Sequence, residues 1–257
     1  MKNKVPSYIA QLLNEKVIQY KQPTFIQHDP ISIPHLFDTA QDKEIAGLLT
    51  AIISWGNRKS IIQSAKQLMQ LLQYRPYEFV MNYSISDNKI LKQFYYRTFQ
   101  PDDVIFFIKA LHKYYSNHHS LENIFISENI VEGIHQFREE MLKVRHFKRS
   151  EKHLPDVKKG SAAKRINMFL RWMVRKDEID FGLWKNISTR QLLIPLDIHT
   201  SRTAYDLGLL DNTNNHLKNV IQLTELLKTL DENDPVKYDF ALFGIGVFEK
   251  SNLSSAR

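Results

Sequence analysis

The chain contains no cysteine. Disulfides, thiolate zinc sites and cysteine-ligated iron–sulfur clusters are thereby excluded. The absence is compatible with a cytoplasmic protein, which is the expected location. No apolar run approaches the ~18 residues needed to cross a bilayer, so neither a span nor a membrane partner is expected. The first residues, Met1-Lys-Asn-Lys-Val-Pro-Ser-Tyr8, carry charge with no apolar core after them, unlike a secretion signal. Alternation of period two is scarce, and there is no internal repeat or low-complexity linker. His112, His118 and His119 have no carboxylate arrangement that reads as a metal site, so no metal and no cofactor is expected. Gly160-Ser-Ala-Ala-Lys164 lacks the full Gly-x-x-x-x-Gly-Lys-Ser/Thr pattern of a nucleotide P-loop. Gly244-Ile-Gly246 lacks the strand–turn–helix context of a dinucleotide site and reads as a place of close helix packing.

What is present is helical. At 257 residues, 43% hydrophobic and 25% charged, the chain can bury a substantial core as one large domain or two small ones. Ile45, Leu48, Leu49, Ile52 and Ile53 share one helix face, with Asp42 as cap and Gly56-Asn57 as end. Further stripes follow: Ile61 to Leu72, closed before Pro76; Val104, Phe107, Ile108 and Leu111; Ile130, Ile134, Phe137 and Met141; Ile166, Phe169, Leu170 and Met173. A helix after Asp197 carries Thr203, Ala204 and Leu207 and ends at Gly208. Residues 217–230 and 236–248 complete the series. The expected fold class is all-α.

Charge is unevenly placed. The net +7 conceals a net +9 in residues 141–190, which carry 14 Lys and Arg against 5 Asp and Glu. Such a patch is the footprint of a phosphate-backbone binder, although basic segments also suit anionic membranes. Residues 145–160, with a proline, a glycine and weak apolar periodicity, read as an exposed basic loop.

That loop enters the first of two chemically suggestive segments. Gly160-Ser161-Ala162-Ala163-Lys164 puts small residues ahead of a helix whose first turn offers free N–H groups and a positive dipole end to a phosphate. Lys158, Lys159 and Arg165 add charge. In the second segment, Pro195-Leu196-Asp197-Ile198-His199, the aspartate begins a helix; taken alone it reads as a cap. In this order the two segments resemble the functional segment of the helix-hairpin-helix (Gly/Pro/Asp) DNA glycosylase superfamily, with its Gly-x-Gly-x-Lys hairpin and Val-Pro-Val-Asp-x-His segment. Ala162 replaces the second hairpin glycine and no Leu-Pro precedes Gly160. The separation of Lys164 and Asp197, 33 residues, implies an insertion around Asp177–Gln191. The helix after Asp42, followed by Arg58-Lys59, resembles the family's first barrel helix and DNA-probing loop, with Asn57 as candidate wedge. Over its whole length the chain is also similar to a bacterial family without an assigned activity.

The resemblance implies two helical lobes with a cleft between them. Residues 40–176 would form a central bundle, and residues 1–39 and 177–257 the second lobe, so that Asp197 faces Lys164 across the cleft. It implies duplex DNA as partner and base-excision repair as function, with or without AP lyase activity. Lys164 would attack the sugar after the nucleotide is flipped out, and Asp197 would stabilise the developing charge or accept the proton. Lys158, Lys159, Gly160, Ser161, Arg165, Asn57, Arg58, Lys59 and His199 would contact DNA. Phe181 and Trp184 are candidates to line a base pocket, whereas Trp172 reads as core. The competing readings are a non-catalytic DNA-binding protein with the same geometry and a basic scaffold for protein or RNA.

Overall fold

In the computed structural model, which describes residues 4–249, the chain is all-helical. Among the described residues nine helices of nine or more residues are joined by shorter helical turns, and there are only isolated β-bridges, no strand. No helix among them is long and apolar enough to cross a membrane. The chain divides into two compact units, Ile26–Pro155 and the combination of Met1–Phe25 with Asp156–Arg257.

In the Ile26–Pro155 unit the main helices are Ala40–Ile52, Arg58–Leu71, Pro101–Tyr115 and Ile130–Leu142. Their apolar stripes are the core: Ile45, Leu48, Ile52, Leu68, Phe107, Ile108, Ile134 and Phe137 are all fully buried. The first helix is capped differently from expectation. Thr39 is the N-cap, its hydroxyl oxygen accepting the Asp42 N–H at 3.2 Å. Asp42 is already the third helical residue, too far inside to cap; its carboxylate accepts the Thr39 hydroxyl and the Tyr77 N–H instead. The helix stops at Ile52, short of Gly56-Asn57. Asn57 then caps the following helix by accepting the Lys59 and Ser60 N–H groups.

Residues 145–155 are not the exposed loop that their composition suggests. Lys148–His153 is a 3-10 helix in which Ser150 and His153 are buried. What holds it is Asp103, itself fully buried. Its carboxylate accepts the Ser150 hydroxyl at 2.6 Å, both Arg149 Nη atoms at 2.8 and 2.9 Å and the Gln100 N–H at 2.8 Å, and lies 3.1 Å from His153 Nε2. His153 stacks on Trp55 and meets Phe99 edge-on. Burial raises the Asp103 pKa, but the hydrogen bonds from His153, the Gln100 N–H and Ser150, together with the His153 charge, outweigh it and hold the carboxyl at about 2.

The second unit pairs the helix Ser7–Tyr20 with Tyr238–Phe248, against which Ile198–Asp206 also packs. The glycines of Gly244-Ile-Gly246 permit this. A Cβ on Gly244 would stand 2.1 Å from the Tyr20 ring, and one on Gly246 2.6 Å from Thr203 Oγ1. The helix Lys164–Val174 belongs to this unit, whereas residues 26–39 belong to the other; the expected boundaries at 39/40 and 176/177 assign both the other way. The physical reason is ionic. Arg171 and Arg175, both buried, pair with Asp177, Asp180, Asp234 and Asp239, and both guanidinium groups lie over the Phe240 ring. In the other unit Ile31 and Ile33 are fully buried and Asp29 lies 3.9 Å from Arg58.

Candidate nucleic-acid interface

The approach to Lys164 is a tight reversal built from backbone hydrogen bonds. The Asp156 carbonyl accepts the N–H groups of Lys159 at 3.2 Å and Ser161 at 3.1 Å. Between them Gly160 takes φ +82°, a left-handed conformation that costs other residues about 1 kcal/mol or more. A Cβ there would meet nothing within 4 Å, so the glycine serves the turn and leaves its face open. Ala163, at φ 49°, is the N-cap of Lys164–Val174, and no side chain of the N-cap residue closes that helix start. Buried Asn167 secures the turn by donating from Nδ2 to the Ala162 carbonyl at 3.0 Å. Lys158 and Lys159 are exposed, and Lys159 lies 3.4 Å from the Asp156 carboxylate.

Lys164 is the first residue of its helix and is half-buried. Its ammonium lies 3.6 Å from Met168 Sδ, a weak acceptor. Arg165 beside it is half-buried, and desolvation lowers its pKa to about 10. Asp197 is the N-cap of Ile198–Asp206. The two capping bonds, from the His199 and Thr200 N–H groups at 2.9 Å each, fall on the same oxygen, Oδ1. Oδ2 is not used by the cap. The cap therefore occupies one oxygen of the side chain. Among the described residues no ion pair joins Lys164 to Asp197. Both belong to one unit, not to opposite lobes. His199 is exposed on the first turn after Asp197.

Other expected site residues fall elsewhere. Asn57, Arg58 and Lys59 are in the Ile26–Pro155 unit, where Asn57 caps its helix through Oδ1 and Arg58 is the first helical residue. Trp184 is buried, 2% exposed, and meets Phe169 edge-on at 5.4 Å. Phe181 is half-buried and its N–H donates to the Trp172 carbonyl, fixing the segment 176–184 along the Lys164 helix. Trp172 is fully buried, as expected. Arg171 and Arg175 are spent inside the fold, but so are their partners Asp177 and Asp180 of the same segment, so the net +9 of residues 141–190 stands. Among the described residues no group of His, Asp and Glu is arranged to hold a metal ion.

Two features escape a reading of the sequence. The Asp103 cluster has a local sign, since Gln100-Pro-Asp-Asp103 is a helix start, but nothing local pairs it with residues 149–153. The segment 211–218 lies against the hairpin: the Leu217 N–H donates to the Gly160 carbonyl at 3.0 Å, and Ser161 and His216 form an antiparallel bridge. Its only sign is a run of asparagines.

No curated protein and no solved structure matches this sequence. A family model matches residues 29–248, most of the chain. The protein is therefore a member of the family described as Protein of unknown function (DUF2400).

Proposed function

We propose that this protein binds duplex DNA and acts as a base-excision glycosylase. Lys164 is the candidate nucleophile and Asp197 the candidate acceptor or electrostatic stabiliser. The observation that carries the reading is the hairpin Asp156–Lys164. An open-faced glycine, an uncapped helix start and the cations of Lys158, Lys159 and Lys164 occur within nine residues. That combination suits a phosphate, which the backbone N–H groups and the helix dipole can hold at close approach. The free Oδ2 of Asp197 supports the chemical part. As the base leaves, positive charge grows on the sugar, and a carboxylate oxygen not committed to the cap can stabilise it. The Lys164 amine, once neutral, would attack the sugar carbon. Its proton would pass to a base such as Asp197, and a Schiff base would open the way to β-elimination.

The test is a screen over a panel of lesion-bearing duplexes, with and without a basic cleavage step, together with borohydride trapping on abasic-site DNA. The expected outcome is base release on at least one lesion. Asp197→Asn should reduce it about a hundredfold or more while the helix cap survives. Lys164→Gln should abolish the trapped adduct, because no amine remains there.

The non-catalytic DNA-binding reading is favoured by one observation, the absence of a direct Lys164–Asp197 ion pair among the described residues. Salt-sensitive binding without base release or adduct on any lesion would establish it.

A further inference from the structure

We infer that the exposed segment Asn214–Lys218 is a second phosphate-backbone contact, docked edge to edge onto the hairpin. The inference rests on the DNA-binding reading but not on catalysis. Placement is the first argument. The Leu217 N–H to Gly160 carbonyl bond and the Ser161–His216 bridge hold this segment directly beside the open face of Gly160. A polyanion held at Gly160 therefore lies within side-chain reach of His216 and Lys218.

Composition is the second argument. Residues 211–218, Asp-Asn-Thr-Asn-Asn-His-Leu-Lys, are exposed except for half-buried Leu217. Asn, Thr, His and Lys side chains can all donate to phosphate oxygens. The one carboxylate, Asp211, stands at the end of the segment away from the bridge. No large exposed apolar side chain lies in 156–165 or 211–218 among the described residues. A protein partner would be expected to anchor on an aromatic or aliphatic residue. The chemistry fits a phosphodiester backbone better than an acidic protein.

Rigidity is the third argument. Asn219, 5% exposed, donates from Nδ2 to Asn212 Oδ1 and to the Asn214 carbonyl, each at 2.8 Å. The Asn214 N–H donates to Asn212 Oδ1 at 3.0 Å. The loop is thus shaped by the fold before any ligand arrives, which removes an ordering cost from binding.

The experiment measures duplex-DNA affinity by fluorescence anisotropy over a salt series. It compares the wild type, Lys158→Ala with Lys159→Ala, Lys218→Ala, His216→Ala with Lys218→Ala, and Lys228→Ala. Lys228 lies on the same helix as Lys218, about 15 Å further along, and bonds to Glu225, so it reports loss of net charge alone. Lys218→Ala is expected to reduce the slope of log K against log salt by about 0.9, the value of one phosphate contact, and Lys228→Ala to leave it unchanged. The His216→Ala and Lys218→Ala pair should weaken affinity beyond Lys218→Ala. If Lys218→Ala matches Lys228→Ala while the Lys158 and Lys159 pair still flattens the slope, the inference fails and the DNA reading stands. If the wild type has no salt-dependent affinity for duplex DNA, both fail. If polyglutamate displaces the duplex as well as unlabelled duplex does, the partner is an acidic protein and the inference is overturned.

Discussion

Asp103 is one residue on which a whole segment depends. It is fully buried and accepts hydrogen bonds from three side chains and one backbone N–H, so its removal leaves Arg149 and His153 without their shared acceptor. Asp103→Asn should destabilise the protein by about 3 kcal/mol, in the range found when one partner of a buried charged pair is deleted. The same carboxylate makes stability depend on pH. Its folded pKa, about 2, lies below the unfolded value near 3.9. Stability from this group is therefore complete above roughly pH 4 and is lost as pH falls toward 2. Urea unfolding of wild type and Asp103→Asn at pH 6, 4 and 3 checks both claims. The difference between the two should be largest at pH 6 and shrink in acid. A constant difference would mean that the carboxylate's charge contributes nothing. Asp197 is the opposite kind of residue. One of its oxygens serves the helix and the other is unused, so its substitution should show in activity before it shows in stability.

At the scale of the element, two glycines do different work, and substitution should separate them. Gly160 has φ +82° with open space around it, so Gly160→Ala strains the backbone without a clash and should cost about 1 kcal/mol. Gly244 sits in a helix with a normal φ but faces the Tyr20 ring at 2.1 Å from a built Cβ. Gly244→Ala must move an aromatic ring or a helix, and should cost about 1–3 kcal/mol. Thermal melts give both values, and anisotropy adds a second reading, since Gly160→Ala, within the hairpin, should weaken DNA binding more than Gly244→Ala, which lies in the same unit but outside the hairpin. Equal effects in both assays would remove the distinction. These elements also show what the sequence can and cannot tell. The helices were legible, because a stripe such as Val104, Phe107, Ile108 and Leu111 follows from a local period. The close-packing role of Gly244 and Gly246 was legible from its helical context. Caps were less so: Thr39 and Asp42 are both good cap residues, and only the actual first turn selects between them. The packing of Trp184 on Phe169 was not legible, because an aromatic in an irregular segment gives no sign of which helix it covers. The hairpin was legible as a motif, but its neighbour at 211–218 was not. The Gly160–Leu217 bond joins residues far apart in sequence, and no local pattern encodes such a pairing.

At the scale of the whole molecule, Ser7–Tyr20 and Tyr238–Phe248 lie in the same unit although far apart in sequence, and this carries a prediction of its own. The helix Ser7–Tyr20 buries Ile9, Leu13 and Val17. It packs against Tyr238–Phe248 through Tyr20 and Gly244, with Tyr238 Oη donating to Asn14 Oδ1 at 2.9 Å and Lys16 bonding to Glu249. Deleting residues 1–21 would expose the apolar face of Tyr238–Phe248 and leave a groove where the Tyr20 ring had stood over Gly244. Full burial of each large apolar side chain contributes about 1.5–3 kcal/mol, so losing three such residues is a large fraction of a typical domain stability. The loss should be confined by the division of the chain. Helix Pro101–Tyr115 packs on Pro76–Met81 and Ile130–Leu142 within Ile26–Pro155. Hydrogen exchange on the truncated protein should therefore show lost protection in 198–206 and 238–248, with protection retained in 101–115. Because the hairpin at Asp156–Lys164 belongs to the weakened unit, DNA affinity should fall as well, with no charged residue of that hairpin altered. Unchanged protection at 238–248 would show that the N-terminal helix is dispensable. Equal loss at 101–115 would show that the two units unfold as one.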